Sequence, residues 1–167
     1  MDTKTLYEED LLAWSRQQSE ALRSAARTGS NQGLDWENLA EEIEDLGKSQ
    51  RRELSSEMRR IVLHLVKLQL SPSVDPRPKW RASIRDARAK IEYLLTESPS
   101  LRAALPDFML TANKSGIRDA LAELKDFGEI APAKKSAGEE KASLRLSYSE
   151  EQVLGDWFPP DEPAGGE

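Results

Sequence analysis

Cysteine is absent from all 167 residues. No disulfide, thiolate zinc site, iron–sulfur cluster or cysteine nucleophile can therefore form. Histidine occurs once, at His64, which excludes any site built from several imidazoles. Proline is missing from residues 1–71 and glycine from 48–115, so neither strong helix breaker interrupts those stretches. Long apolar runs are missing too. The densest, Ile61 to Leu70, is interrupted by His64, Lys67 and Gln69, far short of the roughly 20 residues that span a bilayer. The opening Met1-Asp2-Thr3-Lys4-Thr5 has neither the basic nor the apolar part of a secretory signal, so the expected location is cytoplasmic and no membrane partner is expected. No Ser-His-Asp order, Walker loop or dinucleotide fingerprint occurs.

What is present is charge. Hydrophobic residues make up 38% and charged residues 32%, enough for one modest core under a heavily solvated surface. The net charge of −6 is unevenly spread. Residues 1–50 hold 11 acids against 5 bases, residues 51–105 hold 6 against 12, and residues 106–167 hold 13 against 7. A basic middle between acidic ends satisfies itself when the segments pack together. The other use of such a middle is contact with nucleic acid, but net acidity disfavours that partner because phosphate contacts need positive potential.

The apolar spacing is helical throughout. A first helix is predicted from Leu6 to Arg27, with Tyr7, Leu11, Trp14, Gln18, Ala21 or Leu22, and Ala25 on one face. Thr28 to Gly33 is a turn cluster that ends it. Asp35 is placed as an N-cap, and Leu34 and Leu39 as a hydrophobic staple. From there Trp36, Leu39, Ile43, Leu46, Gln50, Leu54, Met58, Ile61, Leu65 and Leu68 share a phase. This predicts one central helix over 36–70, bent near Gly47 and most buried from Ile61 onward. Ser71 to Pro78 is predicted as a non-helical crossing loop. Trp80, Ile84, Ala87, Ile91 and Leu94 form a narrow seam in a third helix. Ser98 with Pro99 is read as the start of a fourth, interrupted at Pro106 and ended at Gly128. Leu144 to Tyr148 alternates like a strand but has no strand to pair with. Ser149 and Gln152 make a capping box for a short helix, which docks through Trp157 and Phe158. The expected fold is all-α: a four- or five-helix bundle with a long central helix and a docked C-terminal tail segment. Its parts are a bundle over 1–128, a flexible linker over 129–147, and a short capped helix with a disordered end over 148–167.

Several blocks resemble a known family. Tyr7-Glu-Glu-Asp10 with Trp14, and Leu34-Asp-Trp-Glu-Asn-Leu-Ala-Glu-Glu-Ile-Glu-Asp-Leu-Gly47, are similar to the bacterial "domain of unknown function 29" family. So are His64-Leu-Val-Lys67, Trp80 with Ile84 and Arg88, Ser98-Pro-Ser-Leu101, and Tyr148 with Gln152-Val-Leu154 and Phe158-Pro159. The resemblance implies a compact helical bundle and, by itself, no activity.

Three constellations are candidates for chemistry. Glu37, Glu41 and Glu44 lie on one helix flank, and paired carboxylates of this kind bind magnesium in all-helical nucleotide pyrophosphatases. The second acidic pair such sites need is not found on another helix, which favours an ion-paired or solvated ridge. Arg81, Arg85 and Arg88 form a basic ridge of the same spacing, placed to meet the acidic one if their helices pack side by side. His64 with Lys67 lies on the most apolar stretch, where a lone histidine is either a hydrogen-bonded core group or a general base. Trp14, Trp36 and Trp80 are read as seam anchors. The candidate binding residues are therefore Trp36, Glu41, Glu44, His64, Lys67, Trp80, Arg81 and Arg88. No cofactor is expected, no catalytic residue is assigned, and metal binding is left open. The expected role is a protein-interaction or regulatory module without catalysis, its protein partner unknown and a homo-oligomer left open. The alternatives are a metal-dependent phosphohydrolase using the acidic helix and nucleic-acid binding through the basic middle.

Overall fold

The structure, a computed structural model, describes residues 3–29, 33–130 and 146–160. The predicted linker over 129–147 lies outside the described residues except at its edges, as does the predicted disordered end beyond 160. The chain is an all-α bundle. Its helices are α1 Thr3–Glu9, α2 Leu11–Arg27, α3 Trp36–Leu70, α4 Arg77–Glu97, α5 Leu105–Asp126 and α6 Glu150–Leu154, with a 3-10 turn over Pro99–Ala104. They form two compact units, one of Met1–Leu54 with Glu92–Leu105 and one of Ser55–Ile91 with Pro106–Glu167. No described helix is long and apolar enough to cross a membrane.

In the first unit, the single helix expected over 6–27 is broken at Asp10. Its backbone is extended (φ −157°, ψ 92°), and its carboxylate accepts from the Ala13 N–H at 2.8 Å. That carboxylate has a second task, accepting from the Ser100 N–H at 2.7 Å and its hydroxyl at 2.9 Å. Ser98 is fully buried, and its hydroxyl takes the Leu12 N–H at 3.0 Å while donating to Gln50 Oε1 at 2.6 Å. Ser98 was expected to cap the following helix, yet its side chain makes no cap there. The hydroxyl is spent on α2 and α3 instead.

α3 runs unbroken through Gly47 for 35 residues. A Cβ at Gly47 would stand 2.6 Å from Leu12 Cδ1 and Ser15 Oγ, so the glycine admits α2 rather than ending a helix. That close approach changes which residues are inside. Ala40 and Gly47 are buried, whereas Leu39 and Leu46, expected in the core, are 40% and 47% exposed. Leu34 is likewise exposed and Trp36 half-buried. Helix contact at a small residue excludes the large side chains one position away, because neighbours on a helix point about 100° apart.

The second unit buries Met58, Ile61, Val62, Leu65, Val66 and Leu68 of α3 with Ile84, Ala87 and Ile91 of α4. α5 adds Met109, Ala112, Ile117, Ala120 and Leu124. Arg77 and Pro78, expected in the loop, lie in the first turn of α4, where a proline without N–H costs the helix nothing. Pro106 behaves in the same way at the start of α5, so the expected fourth helix is a 3-10 turn followed by a separate α-helix. Gly116 lets α5 lie on α3: a Cβ there would be 2.9 Å from the Arg59 carbonyl oxygen and from Val62. Arg59–Asp119 and Arg60–Asp86 ion pairs, at 2.5 and 2.8 Å, flank these contacts.

Substituting Gly116→Ala is expected to lower unfolding stability by about 1–3 kcal/mol, because backbone and a packed valine must move to admit the methyl group. Urea denaturation at unchanged m-value measures it. A stabilised Gly116→Ala protein, as alanine's helix propensity alone would give, would contradict the close approach.

Candidate functional site

The described polar chemistry concentrates where α3, α4 and α5 of the second unit meet the tail. Tyr148 is buried, and its backbone is held as a strand would be held. Its N–H donates to Asn113 Oδ1 at 2.9 Å, and its carbonyl accepts from Asn113 Nδ2 at 3.0 Å. A side-chain amide thus replaces the missing strand partner. The Tyr148 hydroxyl donates to Gln69 Oε1 at 2.8 Å, and burial pushes its pKa upward. Next comes α6, opened by the Ser149–Gln152 capping box foreseen in the sequence.

Arg88 of α4 closes this segment. Its guanidinium donates to the carbonyls of Val153 at 2.9 Å, Gln152 at 2.8 Å and Trp157 at 2.7 Å. Carbonyls near a helix C-terminus lack intrahelical partners, and a planar cation with several donors suits them. The Phe158 ring lies 4.9 Å from the Arg88 guanidinium carbon and 5.0 Å from that of Arg81. Such contacts add about 0.5–1 kcal/mol each at partly exposed sites. The tail was expected to dock through Trp157 and Phe158, but both are only half-buried. Tyr148, Val153 and Pro159 go deepest. Two guanidinium groups lie over the Phe158 ring, while Trp157 is held through its carbonyl by Arg88 and tilts 6.2 Å from the Tyr148 ring.

Lys67 is buried, paired with Glu123 of α5 and 5.7 Å from the Trp80 ring centre. His64, one turn earlier, is lowered from 6.5 to about 4, first by burial and then by the Lys67 and Arg60 cations, against the opposing pull of Glu123. Its Nδ1 is buried with no hydrogen-bond partner. His64 is therefore a neutral imidazole at physiological pH.

Of the predicted residues, the structure brings together His64, Lys67 and Trp80, and separately Arg81 and Arg88. Glu44 of the acidic ridge pairs with Arg23 of α2 at 2.6 Å and with Lys48 at 3.6 Å, which holds its pKa below the ordinary carboxylate value. Glu44 of the acidic ridge thus finds its partners within the first unit, and Arg88 of the basic ridge within the second. Glu37 and Glu41 stay exposed, and Trp36 sits half-buried in the first turn of α3. Among the described residues, no three His, Asp or Glu side chains converge to hold a metal ion. Asp10, Ser98, Ser100, Asn113 and Gln69 were missed as bridging groups. Asp10 before Leu11-Leu12 carried an N-cap signal; the others carried none, since their partners are distant in sequence.

The fold and this site define an all-α protein whose polar side chains tie sequence-distant segments together. The chain belongs to the family described as domain of unknown function DUF29, whose model matches residues 6–157. It is similar to an alpha-helical protein of unknown function from Rhodospirillum rubrum ATCC 11170, known from a crystal structure. That likeness has 26% identity, covers 92% of this chain and 91% of that chain, and has a TM-score of 0.66. No curated protein matches the chain.

Arg88→Lys is expected to cost about 2 kcal/mol or more, because one ammonium group cannot serve three carbonyls in a fork. Amide exchange should accelerate at Val153 while Leu124 keeps its protection. A second expectation concerns the single histidine. Its ring proton signals should titrate with a midpoint near 4. Between about 4 and 6.5 the unfolded chain takes up this proton and the folded chain does not, so stability falls as pH is lowered through that window. His64→Gln should flatten that part of the stability profile relative to the parent protein.

Proposed function

We propose that the protein is a cytoplasmic protein-interaction module that acts by docking and carries no catalysis. The observation that supports this reading is the division of its side chains. Arg88, Lys67 and Glu44 are engaged within the fold, while large apolar side chains on the acidic half of α3 are left in water. Polar groups committed to holding helices and tail are poorly disposed to move protons or bind a reacting group. Leucines exposed one heptad apart on a charged helix offer the apolar part of a contact face.

The phosphohydrolase reading needs carboxylates free to hold a metal, and Glu44 is engaged by Arg23 and Lys48. The nucleic-acid reading needs cations free to meet phosphate. Arg59, Arg60 and Lys90 are paired with Asp119, Asp86 and Glu57, which weakens the field of the basic middle.

Two measurements test the proposal together. Hydrolysis of nucleoside triphosphates and a phosphodiester with magnesium or manganese is expected to stay at the level of the Glu41→Gln protein. Affinity capture from extract of the source cells is expected to retain a stoichiometric protein partner. Metal-dependent turnover that falls at least tenfold in Glu41→Gln would replace the module with the hydrolase.

A further inference from the structure

α3 carries a second seam. Leu39, Glu42, Leu46, Ser49 and Glu53 follow one another at spacings of 3, 4, 3 and 4, and all five are exposed. That is the spacing with which one helix receives another, side chain into gap. The buried seam of α3 runs along a neighbouring face, through Ala40, Gly47 and Leu54, so the helix is packed on one side and open on the next. The open seam repeats leucine every seven residues and offers only carboxylates as its charged positions.

Charge decides what can lie on it. Residues 34–46, which hold both leucines, contain six acids and no base, and residues 47–53 add Glu53 with Lys48, Arg51 and Arg52. The nearby Lys48 is turned to Glu44 and Asp45, at 3.6 and 3.1 Å, whereas Glu42 and Glu53 hold no ion pair among the described residues. A second copy of this seam laid parallel would bring Glu42 and Glu53 onto themselves, and laid antiparallel would bury the Glu53 carboxylate against Leu39, so either way a carboxylate is left without a cation in the seam. A helix with leucines along one stripe and lysine or arginine beside them would bury Leu39 and Leu46 and neutralise the flanking carboxylates together.

We propose that the exposed seam of α3 binds a basic amphipathic helix of a partner protein, with Leu39 and Leu46 as the apolar anchors and Glu42 and Glu53 as the charge partners. This rests on the interaction-module reading and adds the face and the partner's chemistry.

The test uses the full chain and a labelled 21-residue peptide with leucines at heptad spacing and lysines elsewhere, alongside a scrambled peptide of equal composition. Fluorescence anisotropy should give at least tenfold tighter binding of the amphipathic peptide than of the scrambled one. The charge-neutral pair Leu39→Gln with Leu46→Gln should lose at least tenfold, Glu42→Gln with Glu53→Gln should weaken binding and its salt dependence, and Leu110→Gln, a still more exposed leucine on α5, should change nothing. Circular dichroism and melting temperature confirm that these surface variants fold. Equal binding of the scrambled peptide, or full binding by the Leu39/Leu46 variant, overturns the proposal. So does self-association of the parent chain in sedimentation that the same variant abolishes, which would assign the seam to a second copy. A captured partner retained by the Leu39/Leu46 variant would refute this face and leave the module reading standing; metal-dependent turnover would remove the module reading itself.

Discussion

One helix seam carries both units. Ala40, Gly47, Leu54, Ile61 and Leu68 recur every seventh residue of α3, and every one is buried. A straight α-helix drifts by about 20° per heptad from such a repeat, and each unit buries its own stretch of it, Ala40 to Leu54 in the first and Ile61 to Leu68 in the second. The seam is graded. Its first members are alanine and glycine, which admit α2 at backbone distance, and its later members are large aliphatics that fill space between helices. Where the seam residue is small, its large neighbours are pushed outward. Leu39 and Leu46 are exposed for that reason, not because they lie in a loop.

Apolar burial alone leaves the order of the remaining segments underspecified, since leucine and isoleucine faces are interchangeable partners. Directional bonds supply the specificity. In the first unit, Asp10, Ser98, Ser100 and Gln50 connect the start of α2, the turn after α4 and the middle of α3. In the second, Arg88 and Asn113 hold the main chain of the tail, and Gln69 takes the Tyr148 hydroxyl. Asp10, Ser98, Ser100, Arg88 and Tyr148 belong to the blocks by which the chain resembles its family. Tyr7 to Asp10 meets Ser98 to Leu101, and Trp80 to Arg88 meets Tyr148 to Pro159, so motifs far apart in sequence are halves of one contact.

The electrostatics follow the same economy. Lys67 is buried because Glu123 and the Trp80 ring receive it, and its charge together with burial keeps His64 neutral. Asp86 lies below the ordinary carboxylate range through its hydrogen bonds to Arg60 and Lys90. Of the two ridges legible in the linear sequence, Glu44 is engaged by Arg23 and Lys48 within the first unit and Arg88 by the tail carbonyls within the second.

What the sequence determined by itself was whatever depends on local chemistry. The gaps in proline and glycine, the 3.6-residue spacing from Leu54 to Leu68, the Ser149–Gln152 capping box and the missing signals for strands made the all-α fold and the long central helix legible. Arg88, Lys67 and Trp80 were legible as residues worth attention, though their use was not. Tertiary structure alone decided which face of α3 is inside before Leu54, because Gly47 and Leu46 differ by one position and only the approach of α2 selects between them. It alone tied Asp10 to Ser100, turned Ser98 into a bridge and gave the Tyr148 main chain Asn113 as its partner, because a hydrogen bond between residues 35 to 90 positions apart leaves no periodic trace in the chain.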